Sequence, residues 1–165
     1  MKISFADRHQ LNIIRHIALV TWPTAYSKII SKEQIEYMLE MMYSQDSLEN
    51  QLNTLGHTFF ISFNENNEAI GFASCSAVDT DVKSFKLHKL YVIPSCQGKG
   101  AGKLLLDAVM QFSKSKNAER IELQVNKKNT AVDFYHKNGF SIYRELVLDI
   151  GNNFVMDDYL MEIHF

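Results

Sequence analysis

Apolar residues near the N-terminus recur every three or four positions, which is the spacing of one face of a helix. A short strand over residues 2–5 precedes this pattern, and Asp7 is of a residue type that commonly caps a helix. We expect Pro23 to end the helix, because proline lacks the backbone N–H that a helix interior uses. The apolar face consists of Leu11, Ile14, Ile17 and Ala18.

Two further helices are expected before residue 57. Ser31 begins a Ser-Lys-Glu-Gln stretch, which is a capping box in which the Gln34 side chain reaches back to the cap. A third, short helix is expected over residues 46–55, ahead of Gly56. The first third of the chain is therefore mainly helical.

From Thr58 onward the pattern changes to that of strands. Residues 58–63 and 69–78 predict a hairpin around a polar turn, and a third strand is expected over 84–93, up to Pro94. An amphipathic helix follows, with Leu105, Ala108, Val109 and Phe112 on one face. The remaining elements are a strand (120–125), a helix (130–137) and two final strands (140–148 and 154–165).

This order of elements combines antiparallel hairpins with strand–helix–strand crossovers. It predicts an α/β (α+β) fold with one mixed, mostly antiparallel sheet of about seven strands and helices on both faces. No linker or repeat divides the sequence, so we expect a single domain over residues 1–165.

Composition and charge narrow the classes of function. The sequence has neither an apolar run of the roughly 18 to 20 residues that a membrane span needs nor an apolar leader, so we expect a cytoplasmic protein without a membrane partner. The net charge of −2 conceals a basic middle, because residues 83–137 carry +7 while residues 1–82 and 138–165 carry −5 and −4. Either this asymmetry is ordinary surface solvation, or the middle meets an anion and the flanks meet a cation. The basic residues do not interleave with aromatic residues, so no nucleic-acid partner is expected.

A glycine-rich turn between a predicted strand and a predicted helix carries the most informative chemistry. Glycines 98, 100 and 102 alternate between Lys99, Ala101 and Lys103. Such glycines bring backbone N–H groups close to a ligand at a helix N-terminus, where a phosphate or diphosphate is favoured. The spacing fits neither the P-loop nor the dinucleotide fingerprint. A turn that serves only the strand-to-helix connection is the alternative, although such a turn does not need three glycines and two lysines.

The turn also resembles a known family. Gln97-Gly98-Lys99-Gly100-Ala101-Gly102, after Tyr91-Val92-Ile93-Pro94, resembles the Gln/Arg-x-x-Gly-x-Gly/Ala signature of the GCN5-related N-acetyltransferase (GNAT) superfamily. Downstream, Asn129, Ala131, Phe134 and Tyr135, followed by Gly139-Phe140, match the family's Asn-x-Ala-x-x-Phe-Tyr and Gly-Phe pattern. The layout of residues 1–56 is similar to that of bacterial spermidine/spermine acetyltransferases.

The resemblance implies that the protein binds acetyl-CoA as a co-substrate. No metal is expected, because the histidines show no metal-site spacing with cysteines or acidic residues and acetyl transfer does not require a metal. The resemblance also implies that the diphosphate is held by Gln97, Gly98, Lys99, Gly100, Ala101, Gly102 and Lys103. It further implies that the pantetheine arm lies along Leu90, Tyr91 and Val92, with Asn129 and Phe134 also contacting the cofactor.

Three catalytic roles follow from the same resemblance. A backbone N–H near Val92 would polarise the thioester carbonyl, and Tyr135 would be the general acid for the departing thiolate. The alternative for Tyr135 is a core aromatic side chain. His88 stands where many relatives place a glutamate and is the candidate base, with a structural histidine and a water-chain mechanism as the alternatives.

The resemblance implies that the early helices and the last strands build the acceptor pocket, and both regions are acidic here, which favours a cation. Trp22 and Tyr26 are expected to line the acceptor pocket, and Asp157 and Asp158 interrupt the last strand and supply negative charge there. Glu33, Glu36 and Glu40 are expected on one acidic face of the second helix. Each group has a structural alternative: aromatic packing, a loop or strand edge, and an exposed helix face.

The predicted function is direct transfer of an acetyl group from the thioester to a primary amine. A small cationic amine such as a polyamine is the leading acceptor. A protein or peptide N-acetyltransferase and a non-catalytic acyl-CoA-binding sensor or interaction module remain alternatives. A homodimer, the commonest closed assembly, is the oligomer considered.

Overall fold

The computed structural model describes residues 1–165, except for the side chain of residue 82. Short 3₁₀ turns at Arg8–Gln10 and Pro94–Cys96 accompany five helices and seven strands within this range. The helices are α1 (Leu11–Tyr26), α2 (Lys32–Tyr43), α3 (Gln45–Asn53), α4 (Ala101–Ser115) and α5 (Ala131–Lys137). The strands are β1 (Lys2–Phe5), β2 (Thr58–Phe63), β3 (Ala69–Val78), β4 (Asp81–Val92), β5 (Arg120–Asn126), β6 (Ser141–Gly151) and β7 (Phe154–His164).

The seven strands form one mixed sheet in the order β1-β2-β3-β4-β5-β7-β6. Strands β4 and β5 are parallel and are connected through α4, whereas the other neighbouring strands are antiparallel. The predicted fold class is therefore confirmed. No helix in the described part of the chain is long and apolar enough to cross a membrane.

Apolar side chains cover both faces of the sheet. Along β2, Phe60 packs into a core with α4, whereas Phe59 and Ile61 pack into a second core with α1, α2 and α3. Because strand side chains alternate between faces, a strand that is covered on both sides is apolar at nearly every position. This explains the continuous apolar run at residues 58–63.

Two expectations about the first helices are wrong. Pro23 lies inside α1 rather than ending it. The carbonyl left without an i+4 donor belongs to Leu19, which is exposed, so solvent can hydrate it while Trp22 continues the buried face. Ser31 caps α2 as expected, but the Gln34 side chain donates to the carbonyl of Val155 instead of reaching back.

Strands β4 and β5 separate at one end, and this separation positions the site. Their pairing runs from Ser84↔Arg120 only to Leu87↔Leu123. On the other edge of β4, Ser74 opposes Lys89 and Cys75 opposes Leu87, so His88 is the extra residue of a β-bulge. Beyond the bulge, β4 stays paired with β3 alone, and a cleft opens between β4 and β5.

Candidate active site

The glycine-rich turn holds the N-terminus of α4 open to a ligand. Gly98 and Gly100 have φ values of +74° and +89°, in the left-handed region that favours glycine. Gly100 is the N-cap of α4, and no side chain caps the helix. The N–H of Leu104 donates to the carbonyl of Gly100, so the N–H groups before it face the turn. A Cβ built on Gly98 would meet nothing within 4 Å. The open space and the N–H groups of the first turn fit a diphosphate.

Side chains around the turn hold it in position through hydrogen bonds, and one of its lysines is paired with a carboxylate. The Gln97 amide donates to the carbonyl of Val92 at 3.0 Å, and Lys99 Nζ donates to the carbonyl of Ser95 at 3.1 Å. Lys103 forms an ion pair with Asp107 one turn later in α4. Both lysines are exposed, so they contribute a positive field near the turn.

Gly102 lets α4 approach the aromatic residues of α5. A Cβ at this position would lie 3.7 Å from the Phe134 ring and 3.8 Å from Leu90 Cδ2. The third glycine of the motif thus brings Phe134 against the end of β4. This places Phe134 beside the strand that is predicted to hold the pantetheine arm.

The end of β4 presents backbone groups to the cleft. The N–H of Ile93 donates to the carbonyl of Ile70, so the alternation of an antiparallel ladder pairs Tyr91 with β3. The backbone groups of Leu90 and Val92 therefore point away from β3, toward the gap left by β5. This is the splayed edge that the predicted oxyanion donor at Val92 requires.

Asn129 and Tyr135 form the opposite wall of the cleft. Asn129 Oδ1 accepts from the N–H of Ala131 at the start of α5, and its Nδ2 lies 3.4 Å from the Tyr26 hydroxyl. Tyr135 is 7% exposed, and its hydroxyl makes no hydrogen bond to any described residue. Burial raises the pKa of Tyr135, so the hydroxyl keeps its proton more firmly than a phenol in water.

A second pocket adjoins this cleft on the side of α1 and α2. It has a cavity volume of about 90 Å³ and an aromatic wall formed by Trp22, Tyr26, Tyr43 and Tyr91. The Tyr26 and Tyr91 hydroxyls are 3.0 Å apart, and the Trp22 and Tyr26 ring centroids are 4.5 Å apart. The pocket and the cleft share Tyr26, His88, Lys89, Tyr91 and Gln124. They are thus two arms of one site.

Asp158 is the buried carboxylate of this pocket. Its side chain is 1% exposed, and Oδ2 accepts from Gln124 Nε2 at 2.8 Å. Oδ1 has no hydrogen-bond partner among the described residues. Burial raises the pKa of Asp158, because the charged form loses solvation in the pocket, although the nearby amides of Gln124 and Asn126 act in the opposite direction.

The neighbouring Asp157 is not brought into the pocket. Its carboxylate is exposed and pairs at 2.7 Å with Lys127, which also bonds Glu145 at 2.7 Å. Consecutive residues of a strand point to opposite faces, so only one of the two aspartates can enter the site. Both lie within the continuous strand β7, which corrects the expectation that they interrupt it.

The acidic face of α2 does not reach the pocket either. Glu36 lies 3.6 Å from Lys32 and Glu40 lies 3.9 Å from Arg15, and Glu33 is exposed. These glutamates form the exposed helix face that was the structural alternative. Helix α2 lines the pocket instead with Gln34, Met38, Met42 and Tyr43.

Comparison with known proteins assigns the family. The sequence model of the family described as "Acetyltransferase (GNAT) domain" matches residues 26–155. The chain belongs to the GNAT acetyltransferase family. The resemblance found in the motifs and the predicted enzyme class, an N-acetyltransferase, are thereby confirmed.

Three individual GNAT relatives are similar over different extents. Spermidine N(1)-acetyltransferase of Thermoplasma acidophilum is 28% identical over 161 residues, covering 94% of this chain and 93% of its own. The [ribosomal protein bS18]-alanine N-acetyltransferase of Haemophilus influenzae is 38% identical over 77 residues, covering 47% and 51%. The crystal structure of PaiA N-acetyltransferase from Thermoplasma acidophilum in complex with coenzyme A superposes with a TM-score of 0.81, at 25% identity and full coverage of both chains.

His88 of this GNAT chain lies in surroundings that favour a structural role. Its Nε2 is 2.9 Å from Ser76 Oγ, and its ring stacks on His57 with centroids 3.9 Å apart and planes inclined by 17°. Burial, with His57 and Lys89 nearby, lowers the pKa of His88 to about 2. An imidazole of such low basicity is a poor acceptor for the proton of an alkylammonium.

Lys89 is a feature of this GNAT site that sequence reasoning missed. It is 8% exposed, and its Nζ donates to Gln51 Oε1 at 2.5 Å and lies 5.7 Å from the centroid of the Tyr43 ring. Burial lowers the pKa of Lys89 to about 8, so the side chain remains mainly charged at neutral pH. The available signal was a lysine within a strand that is otherwise apolar on either side, between Leu87 and Leu90.

Proposed function

We propose that the protein transfers the acetyl group of acetyl-CoA directly to the primary amine of a small cationic acceptor, with a polyamine as the leading candidate. The observation that carries this proposal is the buried Asp158 carboxylate, whose Oδ1 is unpartnered in a pocket walled by aromatic rings. An ammonium group would supply the missing hydrogen bond and would be attracted to the aromatic faces. The similarity to a spermidine acetyltransferase supports the same class of acceptor.

The residues that would hold the co-substrate follow the shape of the cleft. Acetyl-CoA, when bound, supplies the thioester that is the acetyl donor. We assign the diphosphate to the N–H groups of the 97–103 turn, with Lys99 and Lys103 adding positive charge. The backbone groups of Leu90 and Val92 and the Asn129 amide would align the pantetheine arm, and Phe134 would close the end of the cleft. The backbone of Tyr91, which sequence reasoning placed in the same role, is paired with β3, so Tyr91 would contribute its side chain alone.

Three groups of this chain would promote the reaction. The backbone N–H of Val92 points into the cleft and would donate to the carbonyl oxygen as negative charge develops there. Tyr135 would donate its hydroxyl proton to the departing thiolate, which leaves as the free thiol. Asp158, with Trp22 and Tyr26, would hold the acceptor in line with the cleft.

A second candidate acceptor is the N-terminus of a protein or peptide. The bS18-alanine N-acetyltransferase of Haemophilus influenzae, similar over about half of this chain, favours it. The aromatic pocket and its 90 Å³ volume favour the small amine instead. A peptide would have to reach the thioester with only its terminal residue inside the pocket.

A panel assay tests the proposal. The protein is incubated with acetyl-CoA and, separately, spermidine, an aminoglycoside, free amino acids and peptides, while free thiol and acetylated product are measured. Thiol release with acetylated spermidine is expected. Turnover of peptides alone would replace the leading candidate by the second. Tight binding of acetyl-CoA with no turnover of any amine would instead indicate an acyl-CoA-binding sensor.

A further inference from the structure

Lys89 is a buried cation that the acetyl-transfer roles above do not use. It lies on β4 directly after the bulge residue His88, and it is one of the residues that line both the pocket and the cleft. Within the described residues, no carboxylate lies within salt-bridge distance of its ammonium group. A buried lysine without a carboxylate partner costs stability, so its presence calls for a reason.

The surroundings of Lys89 are built for an ammonium group but leave its charge uncompensated. Gln51 Nε2 donates to the carbonyl of Met42 at 2.8 Å and to Ser47 Oγ at 3.0 Å, which directs Oε1 toward Lys89. The Tyr43 ring lies on another side of the ammonium. Both partners are neutral, so they hold the cation in place without cancelling its field.

The position of Lys89 differs from that of Asp158 in one informative respect. Lys89 lines the pocket and also the cleft where the thioester is proposed to lie, whereas Asp158 lines the pocket alone. An acceptor that reaches from the pocket into the cleft would therefore pass Lys89, and only its part inside the pocket would lie beside Asp158.

We propose that the Lys89 ammonium favours the neutral form of the acceptor's reacting amine over its ammonium form, so that the nucleophile is generated without a dedicated base. This inference rests on the proposed N-acetyltransferase function. A like charge in a poorly solvated site disfavours a second positive charge, so the acceptor releases a proton to solvent water before it attacks. Because His88 is a poor base, the site needs another way to favour the neutral amine.

The other titratable groups around Lys89 comprise one further cation, three neutral side chains and one opposing carboxylate. Lys86 on β4 adds positive charge, while His57 and His88 are neutral because burial lowers the pKa of each. Tyr43 from α2 stays protonated, because burial raises its pKa. Asp158 on β7 opposes the effect and would act on the distal ammonium of a polyamine.

Rates with a series of acceptors of matched size test the inference. Ethylamine and its mono-, di- and trifluorinated forms differ mainly in basicity, because each fluorine lowers the pKa of the ammonium. The unaltered protein is compared with Lys89→Met and with Lys89→Arg, which keeps the charge. Lys83→Met is the matched control, because Lys83 is an exposed β4 residue that pairs with Glu119 at 2.5 Å.

At neutral pH, Lys89→Met is expected to lose roughly tenfold or more in kcat/KM with ethylamine. The loss should shrink as fluorines are added, because weakly basic amines are already neutral, and Lys89→Arg and Lys83→Met should show no such trend. Because both acceptors are measured on one sample, the ratio of their rates does not depend on how much of the enzyme is folded. An equal loss for all four acceptors would overturn the inference while leaving the proposed function intact.

A binding measurement gives an independent readout. The ¹⁹F shift of difluoroethylamine bound to the protein with coenzyme A, followed against pH, reports the pKa of the bound amine without turnover. The pKa should lie below its value in free solution and should rise in Lys89→Met. An unchanged bound pKa in Lys89→Met overturns the inference. Failure of the unaltered protein to acetylate or bind any amine overturns the proposed function and this inference together.

Discussion

The side-chain amide of Gln97 donates a hydrogen bond to the main-chain carbonyl of Val92 at 3.0 Å. Val92 is the last residue of β4, and Gln97 immediately precedes the glycine-rich turn. The bond therefore sets the distance between the proposed diphosphate site and the backbone that faces the thioester. One side chain thus couples cofactor binding to the alignment of the reacting group.

Replacing Gln97 by leucine should weaken both the binding of acetyl-CoA and the alignment of its thioester. The Val92 carbonyl would lose its partner, at a cost of about 1–3 kcal/mol, and the turn could shift relative to β4. We expect KM for acetyl-CoA to rise about tenfold and kcat to fall as well. Steady-state kinetics measures both effects. Gln111→Leu, on the exposed side of α4, is the control and should match the unaltered protein.

A larger side chain at Gly100 should abolish coenzyme A binding. Gly100→Glu would place a carboxylate at the helix N-terminus, where the diphosphate is proposed to bind, at a φ of +89°. Isothermal titration with coenzyme A should show a loss of roughly 100-fold or more in affinity. Gly56→Glu bears a similar backbone strain, at a φ of +68°, but lies in the loop after α3. Equal losses in the two variants would contradict the assignment of the turn.

Removal of the Tyr135 hydroxyl should slow turnover without weakening cofactor binding. Tyr135→Phe keeps the ring packed edge-on against Phe134 and Phe140 and deletes only the proposed proton donor. We expect kcat to fall by roughly 10²-fold, with the dissociation constant of coenzyme A unchanged. Tyr143→Phe, an exposed tyrosine on β6, serves as the control. Normal turnover in Tyr135→Phe would leave Tyr135 as a core aromatic residue.

The glycine turn and the Asn129 to Tyr135 motif can be recognised from the sequence because each is a single short segment. Strands β2 and β3 are also predictable with their bounds, because polar turns flank continuous apolar runs. The prediction that Pro23 ends α1 is wrong, because a helix tolerates a proline where the carbonyl four residues earlier, here that of Leu19, is hydrated by solvent. Whether that carbonyl faces solvent depends on how α1 packs, and the local sequence does not indicate this.

The acceptor pocket is harder to predict because it is assembled from distant segments. Asp157 and Asp158 are equivalent in sequence, and only the register that sets Asp158 opposite Asn126 of β5 decides which one faces the pocket. The bulge at His88 similarly shifts the alternation along β4. A regular strand would put the side chains of His88 and Lys89 on opposite faces. Their placement in one pocket therefore cannot be predicted without knowledge of the bulge.

The stacked histidines predict a loss of stability in acid. Burial lowers the pKa of His57 to about 4 from 6.5, so the unfolded chain binds more protons between these pH values. The contribution of neutral His57 to the free energy of unfolding is therefore fully present above pH 6.5 and is lost as the pH is lowered toward 4. This loss is about 3 kcal/mol at most. His57→Phe, which retains an aromatic ring against His88, should reduce this decline in thermal melts, while the part that comes from buried His88 remains. His16→Phe, at an exposed position on α1, should leave the decline unchanged.

The most direct test of the account compares two adjacent aspartates with spermidine as the acceptor. Asp158 is buried in the pocket with an unpartnered oxygen, whereas Asp157 is exposed and paired with Lys127. For Asp158→Asn we expect kcat/KM for spermidine to fall by roughly tenfold or more, with KM for acetyl-CoA unchanged. Asp157→Asn should behave as the unaltered protein. Undiminished acetylation of spermidine by Asp158→Asn, or no thiol release by the unaltered protein with any amine, would contradict the account.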